Sequence, residues 1–238
     1  MDDNSSFAEW EKTGRLNFQG WLHDEAVHLS RLLLETQKFL GLQGQIVEIG
    51  VWKGLYLSSL IHFAKDRFFL GIDIWLSEDM QEIEKSIRRV YPGVNLQLIR
   101  ANSFDLQSSD DFIARELDKV HFVSVDGDHS YEGAYHDLIF AAKILSPGGI
   151  IAMDDFLNPG CLGTTQATIE VLMDLKLEPI AYITNKLFIT TEGWSEIYRQ
   201  RISIKLQTDS SYLGMQITSG LEDLTTFIGH KKLYSFHN

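Results

Sequence analysis

Ile46-Val47-Glu48-Ile49-Gly50-Val51-Trp52-Lys53-Gly54 decides how the rest of the chain reads. Residues 46–49 are a short apolar strand. Leu57, Leu60, Ile61 and Ala64 then fall at i, i+3, i+4 and i+7, one face of a helix. Between strand and helix, Gly50 and Gly54 permit a tight turn and a close approach of the backbone to a ligand. The spacing is not that of a dinucleotide fingerprint. Trp52 stands where that motif needs its second glycine, and Glu48 is a poor neighbour for a pyrophosphate. An acid followed by a glycine turn suits a cofactor with a positive amino group and a sulfonium. A purely structural strand–turn–helix join would explain the motif as well.

Outward from this stretch, residues 68–74, 94–99, 120–125 and 149–153 read as further strands. Helical stripes lie between them: Met80, Ile83, Ile87 and Val90, then a polar segment around 109–118, then Tyr135, Leu138, Ile139, Ala142 and Leu145. A helix around 165–175 leads into residues 179–184, which turn at Asn185-Lys186 into 187–190 as an antiparallel hairpin. The alternation predicts an α/β fold. It is Rossmann-like, a mostly parallel seven-stranded sheet with an antiparallel last strand and helices on both faces. Such sheets bind ligands at the carboxyl ends of their strands.

Ahead of the sheet, Ala26, Leu29, Leu33, Thr36 and Leu40 share a helical face, with Asp24 as the expected N-cap. That helix either packs on the sheet or caps the ligand crevice. The expected organisation is an N-terminal helical cap over residues 1–44, a cofactor-binding core over 45–191 and a C-terminal extension over 192–238. The extension's signals allow a helix, an extra strand or a partner-exchanged arm.

The chain has 238 residues, with 21 basic and 33 acidic side chains and a net charge of −12. That balance disfavours phosphate backbones, so no nucleic-acid partner is expected, although solubility alone would explain it. No run of 18 apolar residues exists, and no membrane partner is expected. The acidic start is unlike a signal peptide, and Cys161, the one cysteine, excludes an internal disulfide framework. The expected location is cytoplasmic.

The residues at the strand ends carry the chemistry. Asp73, 25 residues after Glu48, can accept hydrogen bonds from both ribose hydroxyls, or be a solvated loop aspartate. Ala101-Asn102-Ser103-Phe104 is a polar step suited to an adenine edge. Asp126, Asp154 and Asp155 end neighbouring strands, and three converging carboxylates favour a hard cation such as Mg²⁺. Alternatively, one aspartate lies near the cofactor and the other two are turn residues. His129 can remove a proton from an acceptor hydroxyl, or it can cap the helix that follows.

Taken together, the 46–54 stretch, Gly71-Ile72-Asp73, Val125-Asp126-Gly127-Asp128-His129-Ser130-Tyr131-Glu132, Leu145-Ser146-Pro147-Gly148-Gly149 and Asp154-Asp155 form an ordered set. It resembles class I S-adenosylmethionine-dependent methyltransferases, and within them metal-dependent O-methyltransferases of the macrocin type, which act on sugar hydroxyls of natural products. The resemblance covers roughly residues 40–190. It implies that Glu48, Gly50 and Gly54 cradle the methionine part, that Asp73 binds ribose and that Ser103 lies beside adenine. It implies Asp126, Asp154 and Asp155 as metal ligands, with Asp126 also beside the cofactor and the reacting atoms. His129 matches the base, where catechol O-methyltransferases carry a lysine. Those enzymes have Asn where this chain has Asp155, which favours sugar-type relatives.

The expected activity is therefore divalent-metal-assisted O-methylation of a small-molecule hydroxyl, on a sugar or glycosylated natural product. Its cofactors are S-adenosyl-L-methionine and Mg²⁺ or another hard divalent cation, and a homo-oligomer is compatible with the sequence. A noncatalytic S-adenosylmethionine-binding scaffold would keep Glu48 and Asp73 without needing three aspartates and His129. An NAD-dependent oxidoreductase is disfavoured by Trp52.

Overall fold

The computed structural model describes residues 3–76, 79–116, 118–215 and 222–236. Among the described residues, nine strands form one sheet: β1 (Gln45–Ile49), β2 (Phe68–Asp73), β3 (Asn95–Arg100), β4 (Val120–Val125), β5 (Leu145–Met153), β6 (Leu177–Ile183), β7 (Lys186–Thr191), β8 (Thr225–Ile228) and β9 (Lys231–Phe236). Their order is β3-β2-β1-β4-β5-β7-β6-β9-β8. β7 runs antiparallel between β5 and β6, and β8 is antiparallel to β9; the other pairs are parallel. This is the mostly parallel Rossmann-like sheet expected, with nine strands rather than seven. The two additional strands come from residues 225–236, too short and too polar on their outer face to stand out by pattern. Of residues 192–238, positions 216–221 and 237–238 lie outside the described residues.

The helices are α1 (Asp3–Trp10), α2 (Asp24–Phe39), α3 (Leu55–Phe63), α4 (Met80–Val90), α5 (Ser103–Gln107), α6 (Asp110–Glu116), α7 (Tyr131–Ile144), α8 (Leu162–Asp174) and α9 (Ser195–Thr208), with a π-helical turn at Glu11–Arg15. Two apolar layers sandwich the sheet. One holds Leu29 and Leu33 of α2, Leu57 and Leu60 of α3 and Tyr198 and Ile202 of α9 against Ile46, Phe122, Ile150, Ala152 and Phe188. The other holds Leu138 and Ala141 of α7 and Ala167 and Val171 of α8 against Val47, Ile49, Val123, Val125, Ile151 and Met153. Strand side chains alternate between the layers, as a pleat requires.

α2 thus packs on the sheet. Asp24 is its first residue, not its N-cap: the cap is His23, which makes no side-chain capping bond. Asp24 instead pairs with Arg15. The coil before α2 carries Trp21, 94% exposed, to the mouth of a cleft described below.

The C-terminal strands belong to the core. Phe236 is fully buried and lies opposite Ile183 in the β6–β9 register. Phe236→Ala is expected to cost about 3–5 kcal/mol, as large-to-small changes in a packed core do. Urea unfolding checks this; an unchanged midpoint would detach the last strand from the core.

Candidate active site

The carboxyl ends of β1, β2 and β4 open into a cleft of about 700 Å³. Backbone bonds continue past the strands there: Gly50 N–H donates to Ile72 O, Asp126 N–H to Ile49 O and Asp154 N–H to Val125 O. Gly50 has φ +84°, and a Cβ on it would collide with the Asp126 carbonyl, so only glycine lets the two loops pass so closely. Gly54 also sits in left-handed backbone, where it starts α3.

Gly50, Asp73, Ser103, Asp126 and His129 line the cleft together with Trp21, Trp52, Ile74, Asn102 and Phe104. The carboxylate of Asp73 accepts from Trp52 N–H and Trp75 N–H, both at 2.7 Å. It fixes the glycine turn and still offers lone pairs toward the cleft. Trp21 and Trp52 stack at the mouth, ring centroids 5.8 Å apart. Ser103 donates to Asp137, a buried acid that sequence reasoning passed over as one more helical polar residue. Burial pushes the Asp137 carboxyl up to about 6.

Glu48 does not line the cleft. It is 2% exposed, and its Oε2 has no hydrogen-bond partner. Burial, with Asp126 beside it, holds its pKa well above the usual carboxylate range. Asp126 is likewise raised to about 6, chiefly by burial.

Between these acids lies a residue that sequence reasoning read only as part of a turn. Lys186, 1% exposed, ion-pairs with Asp154 at 2.8 Å and rests on the Tyr56 ring at 4.3 Å. Burial opposes its charge, but Asp154 more than offsets that and raises its pKa. Asp154 is correspondingly lowered: burial would raise it, and Lys186 overrides that.

The three aspartates expected to share one cation stay close together, with Asp126 hydrogen-bonded to Asp154, and each has further partners. Asp154 faces Lys186. Asp155 accepts from Asn158 and Asn185 on one oxygen and approaches His129 with the other. His129 Nε2 lies 3.3 Å from both Asp126 Oδ1 and Asp155 Oδ2. Among the described residues, the compact group of three metal-ligating side chains is His129, Asp155 and Cys161. Helix capping falls to Ser130, whose side chain accepts from Gly133 N–H. His129 is therefore free of that duty. The Asp126 hydrogen bond raises its pKa above the ordinary value, against burial, which lowers it.

Residues 47–156, just under half of the chain, match a family model described as a methyltransferase domain. The sheet and its flanking helices have the Rossmann-like fold of such methyltransferases. A relative, the uncharacterized protein R132 of Acanthamoeba polyphaga mimivirus, is 26% identical over 160 residues, 66% of this chain and 71% of its own. Among solved structures, apo CalS11, a TDP-rhamnose 3'-O-methyltransferase of calicheamicin biosynthesis, is similar with a TM-score of 0.52 and 17% identity. The match covers 68% of this chain and 75% of CalS11. MycE methyltransferase from the mycinamycin biosynthetic pathway, solved with Mg and SAH, is similar with a TM-score of 0.55 and 19% identity, over 80% of this chain and 55% of MycE. These two likenesses concern the fold. No helix among the described residues is long and apolar enough to cross a membrane.

Lys186→Met leaves Asp154 buried without its counter-charge, and a loss of roughly 3–5 kcal/mol is expected. Adding Asp154→Asn should recover much of it, because the orphaned charge is then gone. Urea unfolding of the single and double variants measures both; a neutral Lys186→Met would mean that the pair does not hold this end of the sheet.

Proposed function

We propose that this chain is an S-adenosylmethionine-dependent O-methyltransferase that acts on a hydroxyl of a sugar or a glycosylated natural product. The observation that carries the reading is the cleft itself. Its walls join the Asp73–Gly50 turn to Asp126 and His129, so a nucleoside end and a proton-accepting end share one cavity. Glu48 adds a buried carboxylate oxygen without a partner behind Gly50, a match for a cationic amino group. CalS11, described as a TDP-rhamnose 3'-O-methyltransferase, supports a sugar acceptor, and MycE, solved with mycinamycin VI, supports a natural-product acceptor.

When bound, S-adenosylmethionine supplies the methyl group from its sulfonium. Asp73 orients the ribose, and Ser103, held by Asp137, lies beside the base. Asp126 and Asp155 face Nε2 of His129, and the neutral imidazole, which lines the cleft, accepts the proton of the acceptor hydroxyl. The imidazolium that results would be stabilised by the same two carboxylates.

A divalent cation such as Mg²⁺ would supply Lewis acidity that lowers the hydroxyl pKa. Asp126 and Asp155 fit it, since their carboxylates approach a common point at His129, whereas Asp154 is committed to Lys186. Further parts of the proposal are a cytoplasmic location and a small-molecule partner, without nucleic acid or membrane.

Calorimetry tests the cofactor first. S-adenosylmethionine should bind and NAD should not, and Asp73→Asn should lose roughly 1–3 kcal/mol of binding. Equal binding of NAD would return the oxidoreductase reading. Methyl transfer to TDP-rhamnose and to macrolide sugars then tests the reaction. His129→Gln should lower turnover about 10²–10⁴-fold at unchanged melting temperature. Cofactor binding without transfer to any acceptor would favour a scaffold. Chelation by EDTA should silence transfer and Mg²⁺ restore it; full turnover in excess chelator would remove the cation.

A further inference from the structure

Two loops that are far apart in sequence bring three different metal donors together. His129 follows β4, Asp155 follows β5 and Cys161 immediately precedes α8. One ligand atom from each lies within 4.8 Å of the other two. Cys161 Sγ is 3.5 Å from His129 Nδ1, and the thiol also lies beside the Asp155 carboxyl.

The local fold holds this arrangement in place. Gly163, in the first turn of α8, approaches the turn after His129 so closely that a Cβ would stand 2.6 Å from Tyr131 N. Thr164 Oγ1 donates to the His129 carbonyl at 3.4 Å. Asn158 and Asn185 anchor the far oxygen of Asp155, leaving the other turned to the cluster. Cys161 N–H donates to Asn158 O, so the loop that orients Asp155 also sets the thiol.

We propose that Cys161, His129 and Asp155 form a binding site for a thiophilic divalent cation of the zinc class, distinct in donor set from a hard-cation site. A hard cation such as Mg²⁺ has no use for a thiolate, whereas a borderline cation binds sulfur, imidazole nitrogen and carboxylate oxygen together. Three protein ligands leave a fourth tetrahedral position open to water. Binding displaces the thiol proton to solvent, and no redox step is involved. The site shares Asp155 with the proposed Mg²⁺ position and takes up His129. If the methyltransferase reading above holds, zinc therefore removes the base and silences transfer.

Because Cys161 is the one cysteine of the chain, any sulfur-to-metal signal has a single source. Co²⁺, a spectroscopic substitute for zinc, is added to the full chain, and the near-ultraviolet thiolate-to-cobalt charge-transfer band is followed. One equivalent should produce the band, Zn²⁺ should displace it and excess Mg²⁺ should not. Cys161→Ser should abolish it. His129→Gln and Asp155→Asn should each weaken Co²⁺ binding about 10–100-fold. Absence of the band in the wild type overturns the site. So does a band of unchanged affinity in both the His129 and Asp155 variants, which would leave a lone surface thiol. A normal band in a protein that transfers no methyl group would leave this site standing and count against the enzymatic reading alone.

Discussion

The ion pair of Lys186 with Asp154 is the constraint on which this end of the sheet depends. Glu48, Asp126 and Asp154 stand on three adjacent strands or just past their ends, and their mutual repulsion would push the loops apart or neutralise the acids. Burying one lysine among them lets Asp154 stay ionised, while burial keeps Glu48 and Asp126 above the usual carboxylate range although the same lysine lowers both. The lysine is delivered by topology. β7 is antiparallel to β5, so it begins where β5 ends, and the pairing of Met153 with Leu187 sets Lys186 across from Asp154. A parallel strand in that position would have presented its carboxyl end instead.

The same parity places the other partners. Ile46, Phe122, Ile150, Ala152 and Phe188 face the α2–α3 layer. Stepping by two along each strand puts Glu48, Asp126, Asp154 and Lys186 on that face as well. The layer answers with Tyr56 of α3, whose ring receives the ammonium and whose hydroxyl is hydrogen-bonded to Ser30 of α2 at 2.7 Å. The helices α2 and α3 thus support the site from that face of the sheet. The cleft wall they contribute to is the short coil ahead of α2, where Trp21 meets Trp52.

Much of this was legible in the residues because it follows from local rules. The alternation of strands and helices, the glycine turn after β1 and the aspartate closing β2 all depend on neighbours a few positions away. The antiparallel hairpin was equally plain. Lys186 was not, since a lysine beside an asparagine in a turn reads as solvated; only the pairing of β7 with β5 buries it. Cys161 was read for disulfides alone, and its approach to His129 spans 32 residues of sequence and depends on Gly163. Asp24 has the composition of an N-cap, but Arg15 draws its carboxylate away. The strands at 225–236 lack a clear apolar alternation and are defined by the edge of β6 that they cover.

The distribution of charge also bears on how the site handles a proton. A histidine between two carboxylates is a stronger base than one in water, but a smaller fraction of it is neutral at a given pH. Asp126 does not relieve this as the pH falls, because its pKa of about 6 lies below that of His129, and the imidazole takes its proton first. A cation bound by Asp126 or Asp155 would relieve it, by withdrawing carboxylate charge from Nε2. The acids around His129 therefore do more than orient it. Through Lys186 on one side and a bound cation on the other, they set how much of the imidazole is available to accept a proton.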